Sequence, residues 1–419
     1  MKHLIIHNVG PISNVDISLS KYNFIIGSQC SGKSTIAKVL STCEWIEKEV
    51  ATTRDEHVIE NGDSFVKTIE DFHRMEGYFD RTKNSYVLYE TDCITIVYDE
   101  KQLDIKLKKD SKYFRQKICY IPAERNMVAL SELNGFEFKG TSLRSFLFDW
   151  WSARECYTPS NKTELLDLGV KYYYDKEQTS KQVDRIQHDN GVSYDISLNC
   201  SSSGLQSVTP LLIMLQYYTN QYFDDFGKKT SFDIDTKTKK TSHALVREIA
   251  LAKYKPGFEE RDAAELVKKF NEELYQGNPR VQQIFKEYEE AFRRLTVPNR
   301  VTFIIEEPEQ NLYPYTQIQL IESLCGLCGA DSKHGFTLTT HSPYILNFLN
   351  VLFLRFYSKS DSEICMNPDD VTAFVMQDGN AHSLVCYNEE YKRKNIKAED
   401  LTDTMRAMSN EYNLLKSKL

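Results

Sequence analysis

The sequence lacks the features that would place it in a membrane or in an oxidising compartment. No apolar run reaches membrane-spanning length, because the nearest candidate, residues 344–356, is interrupted by two asparagines and an arginine. The first residues do not have the layout of a signal peptide. The ten cysteines show no regular disulfide spacing, and the lone C-x-x-C pair at Cys325 and Cys328 is assigned to helix packing by default. We therefore expect a cytoplasmic protein with reduced thiols and no membrane partner.

A surplus of positive charge is also missing. The 52 Lys and Arg residues face 60 Asp and Glu residues, which gives a formal net charge of −8. This balance argues against a surface made for indiscriminate DNA binding but leaves room for a local basic groove. The basic stretch 106–117 has two interpretations, a nucleic-acid contact or a solvated strand edge or loop, and we favour the second.

What the chain does contain is a phosphate-binding pattern. Residues 27–34 read Gly-Ser-Gln-Cys-Ser-Gly-Lys-Ser, after an apolar strand-like stretch and before a helix-forming run. The glycines let backbone N–H groups turn toward an anion, and the helix N-terminus adds partial positive charge. Lys33 is expected to reach the outer phosphates, and the Ser34 hydroxyl to bind Mg²⁺.

Two later strands end in residues that suit phosphoryl chemistry. The β-branched run 301–305 ends in Glu306 and Glu307. Because side chains alternate along a strand, one carboxylate can face Mg²⁺ while the other faces the attacking water; an ion pair with a surface lysine is the alternative. The strand 336–340 ends in His341, which we interpret as a sensor of the γ-phosphate.

Two more segments place polar residues where ligands bind. The serine-rich residues 201–207 precede an apolar helix, so they expose a second helix N-terminus. The strand 118–121 ends in a polar turn, 122–126, that carries both charges, and α/β proteins place ligand-contacting residues at such strand ends.

The pattern elsewhere predicts strands and a helical insertion. Strands are predicted at 3–7, 15–19, 23–26, 86–89, 93–98 and 103–107, the last three as a small antiparallel sheet, with a hairpin around Gly379. The polar stretch 232–241 is predicted to be a loop. Helical periodicity from 242 to 295, broken at 277–279, predicts an arm whose apolar stripe packs on its own domain or forms an interface. A charged helical tail is predicted up to residue 419.

These motifs together resemble the ATP-binding cassette (ABC) ATPase heads of the SMC, RecF and OLD kind. The residues that carry the resemblance are Walker A at 27–34, the signature at 202–207, Walker B at 304–309, the switch histidine at 339–343, and the segments 8–12 and 121–125. Glu306 replaces the more general aspartate, Ser203 a signature glycine, and Tyr313 a histidine frequent in OLD-like proteins; Gln29-Cys30 departs from the SMC and RecF loop. We identify the chain as closest to OLD-like, AAA15-type ATPases.

The resemblance implies an α/β fold, a P-loop NTPase of ABC-head type in which helices flank a mixed sheet, with an antiparallel β subdomain and an inserted helical arm. It divides the chain into a first part of the head at 1–220, the arm at 221–298, and a second part with a short tail at 299–419.

The resemblance also implies a mechanism with ATP and Mg²⁺ as cofactors. Two heads bind head to tail, and each signature closes over the ATP held by the other Walker A loop. Glu307 is then the general base, His341 contacts the γ-phosphate, and Ser34 and Glu306 hold Mg²⁺. The implied nucleotide-binding residues are Gly27, Ser28, Gln29, Cys30, Ser31, Gly32, Lys33, Ser34, Thr35, Ser202, Ser203, Gly204 and Gln206.

Three functions remain open at the level of the sequence. The first is an ATP-switched, oligomeric subunit of an anti-phage system, similar to those of PARIS, Septu and certain retrons, that controls a separately encoded effector such as a nuclease after a DNA or phage-protein trigger. We expect no nuclease domain in the chain itself, because the residues after His341 lack the spaced carboxylates of a two-metal site. The alternative is a RecF- or SMC-like ATPase in DNA repair or DNA-end binding, and a transporter ATPase ranks last.

Overall fold

A computed structural model gives the architecture of the chain. It describes residues 2–79, 84–108, 111–130, 140–177, 183–188, 193–227, 236–329, 332–359, 364–397, 408 and 410–412. The strands are β1 (Lys2–Val9), β2 (Ile12–Leu19), β3 (Tyr22–Gly27), β4 (Tyr86–Glu90), β5 (Ile94–Asp99), β6 (Gln102–Leu107), β7 (Gln116–Ile121), β8 (Thr163–Glu164), β9 (Val170–Tyr174), β10 (Asp184–His188), β11 (Tyr194–Ser197), β12 (Arg300–Glu306), β13 (Gly335–Thr340), β14 (Val371–Gln377), β15 (Asn380–Ser383), β16 (Val385–Asn388) and β17 (Arg393–Ile396).

Helices connect these strands. They are α1 (Lys33–Thr53), α2 (Gly62–His73), α3 (Ser142–Arg154), α4 (Ser203–Gln216), α5 (Tyr222–Gly227), α6 (Thr236–Leu245), α7 (Ala252–Tyr254), α8 (Ala263–Tyr275), α9 (Pro279–Thr296), α10 (Pro314–Leu327) and α11 (Pro343–Ser358). Two π-helical turns, Tyr217–Gln221 and Val246–Leu251, continue α4 into α5 and α6 into α7. Within the described ranges, every helix is too short or too polar to cross a lipid bilayer.

An eleven-stranded sheet in the order β6-β5-β4-β1-β2-β15-β14-β3-β13-β12-β7 is the centre of the fold. Its strands β14, β3, β13, β12 and β7 run parallel. Their register is nearly level, because Ile26 pairs with Thr340 and Thr339 pairs with Glu306. The segments that follow β3, β12 and β13 therefore emerge at one edge of the sheet, where α/β folds bind ligands.

Strand β12 has an uninterrupted apolar run at 303–305 because both faces of the sheet are covered. On β12, Phe303 and Ile305 belong to one core cluster while Ile304 belongs to the other. Helix α1 packs in the second cluster, and α3, α4, α10 and α11 pack in the first. A run without polar alternation is what such doubly covered strands require.

The antiparallel half corrects one prediction. The predicted strands at 3–7, 15–19, 23–26, 86–89, 93–98 and 103–107 are confirmed, with the one at 93–98 starting at Ile94. Strands β4, β5 and β6 pair antiparallel as predicted, but β4 also pairs with β1, so the three strands belong to the main sheet and are not a sheet of their own. The reason is shared burial, because their alternating apolar side chains cover α1 together with those of β1. A separate four-stranded sheet, β11-β10-β9-β8, lies elsewhere.

The arm contains the predicted break between two helices, α8 and α9, at residues 276–278. Its apolar stripe packs on the chain itself, in one cluster of Ala250, Phe270, Val281 and Ile284 and in another that joins Ala291 and Leu295 to Ala51 of α1. Of the loop predicted at 232–241, residues 236–241 are helical instead, and the rest lies outside the described residues. The pattern missed this first part of α6 because its buried residue Thr241 is polar, whereas the buried apolar Leu245 lies one turn further along the helix.

Three smaller predictions can also be compared with the structure. The hairpin around Gly379 is confirmed between β14 and β15, where Gly379 has a φ of +74°. Cys325 and Cys328 are buried in the main core, where burial raises the pKa of both thiols, so the packing role is confirmed. The predicted helical tail falls almost wholly outside the described residues, which include only 408 and 410–412 beyond residue 397.

We predict that the arm core can be loosened without unfolding the sheet. Phe270 is buried in the arm cluster, so Phe270→Ala should destabilise α8 and α9 by about 3 kcal/mol through lost contacts and a cavity. Amide hydrogen exchange should then accelerate at 263–296 and stay unchanged in β3 and β12. Tyr275→Ala is the control, because Tyr275 lies on the same helix and is 92% exposed. Equal loss of protection in the sheet would show that the two cores are not independent.

Candidate functional site

The loop between β3 and α1 has the shape of an anion cradle. Gly32 precedes the first turn of α1 with a φ of +101°, and an added Cβ would lie 2.8 Å from Cγ1 of Ile12. Only glycine fits that conformation and that space. Ser28, Gln29 and Cys30 are exposed at the tip of the loop, so their backbone is accessible to a ligand.

Lys33 lies inside this loop. Its Nζ donates to the carbonyl oxygens of Gly27 (2.9 Å) and Ser28 (2.7 Å). Burial lowers the pKa of Lys33, whereas the nearby carboxylates of Glu307 and Glu309 oppose this shift. The ammonium group is thus held where a phosphate would compete with the loop carbonyls for it.

Glu306 is linked directly to the loop. Its Oε2 accepts a hydrogen bond from Ser34 Oγ (3.3 Å), and its Oε1 accepts one from the hydroxyl of Tyr120. The side chain is 5% exposed, and burial raises the pKa of its carboxyl group. A hydroxyl and a carboxylate beside a phosphate loop are oxygen donors of the kind that Mg²⁺ uses together with water and substrate phosphates. These two residues therefore fit the expected metal.

Glu307 and His341 lie side by side at the ends of β12 and β13. His341 Nε2 is 3.5 Å from Glu307 Oε1, and both side chains are partly exposed. The backbone N–H of His341 donates to Glu309 Oε1 (2.5 Å). Glu307 has a φ of +45°, a conformation uncommon for a non-glycine residue. The structure thus brings together the carboxylate and the histidine that the sequence assigned to one site.

Arg125 is a residue of this site that the sequence-based assignment missed. Its guanidinium is fully buried and donates to the backbone carbonyls of Glu306 (2.8 Å), Glu307 (2.7 Å) and Pro308 (3.3 Å). Its Nε donates to the carbonyl of Ser207 (3.0 Å). Burial lowers the pKa of Arg125 to about 10, so the group stays charged at neutral pH. Arg125 positions the chain that carries the carboxylates.

Tyr120 is a second residue absent from that assignment. It lies on β7, and its hydroxyl holds one oxygen of Glu306, as described above. The apolar strand 118–121 followed by a charged turn had marked this segment as a ligand-contacting one. What the segment contacts is the Walker B region, because β7 pairs with β12 in parallel.

The signature segment forms the exposed start of α4. Ser202 Oγ accepts from the N–H of Leu205 (3.4 Å), and Ser203 is exposed beside it. A Cβ on Gly204 would lie 3.0 Å from the carbonyl oxygen of Asn311, which explains the glycine. The amide of Gln206 donates to two backbone carbonyls of its own turn. Among the described residues, no hydrogen bond or ion pair joins this tip to the Walker A loop of the same chain.

The basic stretch 106–117 is engaged within the chain. Lys106 pairs with Asp104, Lys108 with Glu90 (2.7 Å) and Lys117 with Asp149 (2.7 Å). The segment includes the end of β6, the edge strand of the main sheet. In the described residues the stretch forms the end of β6, a connecting segment and the start of β7, as that interpretation expects, but Tyr113 and Gln116 are buried and not solvated. Positions 109 and 110 lie outside the described residues.

Comparison with known proteins concerns the fold. No protein-family model and no curated protein matches the sequence. The SMC head domain from Thermotoga maritima is 9% identical, with 91% of this chain and 97% of that chain covered and a TM-score of 0.37. The recombination mediator RecF of the RecFOR pathway is 12% identical over 91% of this chain and 97% of that chain, with a TM-score of 0.29.

A dimeric ATP-binding cassette in a post-hydrolysis state with ADP and Pi is 12% identical over 94% of this chain and 98% of that chain, with a TM-score of 0.27. The chain has an α/β fold in which helices flank a mixed sheet and a phosphate loop lies between β3 and α1. Since every one of these TM-scores is below 0.5, the description of the site rests on the chain's own contacts.

We predict that the carboxyl group of Glu306 makes stability depend on pH. Its pKa is raised above 4.5 in the folded protein, so the folded state binds the proton more tightly than the unfolded state. Stability is therefore lost as pH rises from the unfolded pKa through the folded one. Glu306→Gln removes this loss, and the difference in unfolding free energy, variant minus wild type, should increase from pH 4 upward and then level off.

The measurement is urea unfolding across pH in the presence of EDTA, which keeps divalent cations away. Glu390→Gln, at an exposed carboxylate far along the chain, is the matched control and should give a difference that does not vary with pH. A constant difference for Glu306→Gln would contradict the prediction.

Proposed function

We propose that this chain is the ATP-binding and ATP-hydrolysing head of an ABC-type ATPase. The observation that supports it most is the set of contacts at one edge of the sheet. Lys33 and Ser34 lie on the phosphate loop, Glu306 accepts from Ser34, and Glu307 lies beside His341. Phosphoryl transfer depends on positioning and on charge neutralisation, and these side chains can supply both.

Each side chain has a role in this proposal. Lys33 binds the outer phosphates, and Glu307 accepts a proton from the attacking water. His341 holds the γ-phosphate region and keeps Glu307 oriented through their 3.5 Å contact. Ser34 and Glu306 hold Mg²⁺, which when bound neutralises charge on the phosphate oxygens. Tyr120 holds the carboxylate of Glu306, and Arg125 holds the backbone carbonyls of Glu306 and Glu307.

The exposed signature supports a shared site. Ser203 at the start of α4 is exposed, and no bond of the described residues joins this tip to the chain's own Walker A loop. A helix N-terminus that does not contact the phosphate loop of its own chain can bind the phosphates held by a second copy. We propose a head-to-tail dimer in which the tip, with Ser202 and Gly204, closes the partner's ATP site.

The biological role that we propose is that of a switch in anti-phage defence. In this role the OLD-like, AAA15-type head controls a separately encoded effector, with the arm of residues 221–298 as the part available for it. The arm has a core of its own, and a second cluster joins it to α1, the helix that follows the phosphate loop. The RecF-like alternative depended on the basic stretch 106–117, and three of its lysines are paired within the chain.

We predict that two inactive variants restore activity when mixed. Lys33→Ala removes the phosphate contact, and Ser203→Glu places a negative charge against the partner's ATP while favouring the helix start. Random exchange gives half mixed dimers, each with one intact composite site, so activity should recover to about one quarter of wild type. ATP hydrolysis by each variant alone and by the mixture is the measurement.

Ser160→Glu serves as the control, because Ser160 is an exposed serine outside the site. It should leave hydrolysis unchanged when tested alone, and its equal mixture with Lys33→Ala should show about half of wild-type activity, the value expected from the share of intact phosphate loops. A mixture of the two site variants that stays inactive while dimers exchange would rule out the shared site. Hydrolysis that survives Lys33→Ala would rule out the nucleotide site itself.

We further predict that duplex DNA leaves the hydrolysis rate within about twofold at low salt, since the chain is acidic and its basic stretch is paired. The measurement compares ATP turnover with and without DNA at two salt concentrations. Strong stimulation that fades as salt increases would instead favour the DNA-repair function.

A further inference from the structure

A cationic cavity lies at the edge of the main sheet opposite the phosphate loop. The strands β3, β7, β12 and β13 begin here, where Gln116 pairs with Arg300 and Tyr22 with Phe336. The cavity has a volume of about 210 Å³. This volume holds a phosphate-sized group with several waters, since one water takes about 30 Å³.

Four cations line this cavity. They are Lys2, Lys21, Arg300 and Lys333, with Glu44 as the carboxylate among the lining residues. Glu44 is already paired with Lys2. Lys21 donates to the carbonyls of Gly329 (2.9 Å) and Ser332 (2.7 Å). In a chain with a net charge of −8, this concentration of positive charge favours an anion.

Two of these cations are available to a ligand. The side chains of Arg300 and Lys333 form no hydrogen bond or ion pair with any other residue in the described ranges. The guanidinium Nε of Arg300 is buried without a partner. A guanidinium offers planar donors that match an oxyanion, so Arg300 is the natural anchor.

Gln116 gives an independent sign of a missing acceptor. The side chain is 3% exposed, and its Oε1 accepts from Thr302 Oγ1 (3.0 Å). Its Nε2 has no hydrogen-bond partner. A buried donor without an acceptor destabilises the fold, so two such donors beside one cavity point to a ligand that accepts from both. An acceptor atom of Glu44, Oε2, is also unpaired, and it lies on the residue that Lys2 neutralises.

The cavity adjoins the root of the arm. The backbone N–H of Arg115 donates to the carbonyl of Arg294 (3.0 Å), and its guanidinium donates to that of Thr296 (3.0 Å). After α9 the chain enters β12, which begins at Arg300 and ends at Glu306. A ligand on Arg300 would therefore contact the strand that connects the arm with the ATP site.

We propose that this cavity is a binding site for a small oxyanion, with inorganic phosphate or the phosphate or carboxylate group of a metabolite as the ligand class. Arg300 and Gln116 donate to the anion, and Lys333 neutralises it from the exposed side. The site is separate from the P-loop and does not depend on the ATPase proposal.

The test measures anion binding in a Lys33→Ala background, which removes the contact of the P-loop lysine. Isothermal titration with inorganic phosphate should show binding to Lys33→Ala in the full chain. Adding Arg300→Gln should weaken it about tenfold or more, because a charged donor is worth about 1.5–3 kcal/mol. Adding Lys333→Gln, at an exposed position that tolerates substitution, should weaken it less. Lys269→Gln on the arm is the control and should have no effect.

The outcomes separate the alternatives. Equal phosphate affinity with and without Arg300→Gln and Lys333→Gln would overturn the proposal, and so would the absence of binding to Lys33→Ala. Succinate in place of phosphate distinguishes a carboxylate ligand from a phosphate ligand. Circular-dichroism melting of each variant shows whether it is folded. If Arg300→Gln does not fold, the phosphate affinity of Lys333→Gln decides the result.

Discussion

The buried guanidinium of Arg125 holds together parts of the chain that are far apart in sequence. It donates to three consecutive carbonyls after β12 and to the carbonyl of Ser207 in α4. Removing a charged group from water is costly, and it is tolerated here because its donors are satisfied by backbone carbonyls. One side chain therefore holds the backbone that carries Glu306 and Glu307 against the start of α4. In the proposed dimer, this links the head's own ATP site to the tip that it offers to its partner.

The electrostatics of the site follow from the same burial. Glu306 is nearly inaccessible and has a raised pKa, while Lys33 has a lowered one. Both groups bear charge at a cost that a bound nucleotide with its metal would relieve. The phosphate loop lies at the ends of the parallel strands, and the cationic cavity of Arg300 lies where these strands begin. The arm joins the head at the second edge, where Arg115 and Thr296 are hydrogen-bonded.

Local sequence patterns predicted the positions of strands and helices better than they predicted which strands pair with one another. The strands and the break between α8 and α9 follow from alternation, helical periodicity and the Gly-Asn-Pro segment. The joining of β4 to β1 was not predictable, because pairing is decided by which apolar faces cover α1. The start of α6 was missed because its buried residue Thr241 carries no hydrophobic signal and the apolar Leu245 lies one turn further along the helix.

The sequence by itself determined the chemistry of the candidate site. Walker A, the paired carboxylates and His341 are recognisable because each type of residue must follow its strand at a fixed spacing. Only the tertiary structure decided which other residues support them. Tyr120 reaches Glu306 because β7 and β12 are neighbours in the sheet, and Arg125 reaches Ser207 across 82 positions of sequence. Such contacts depend on the order of the strands and on the packing of α4, and neither of these produces a periodic pattern in the sequence.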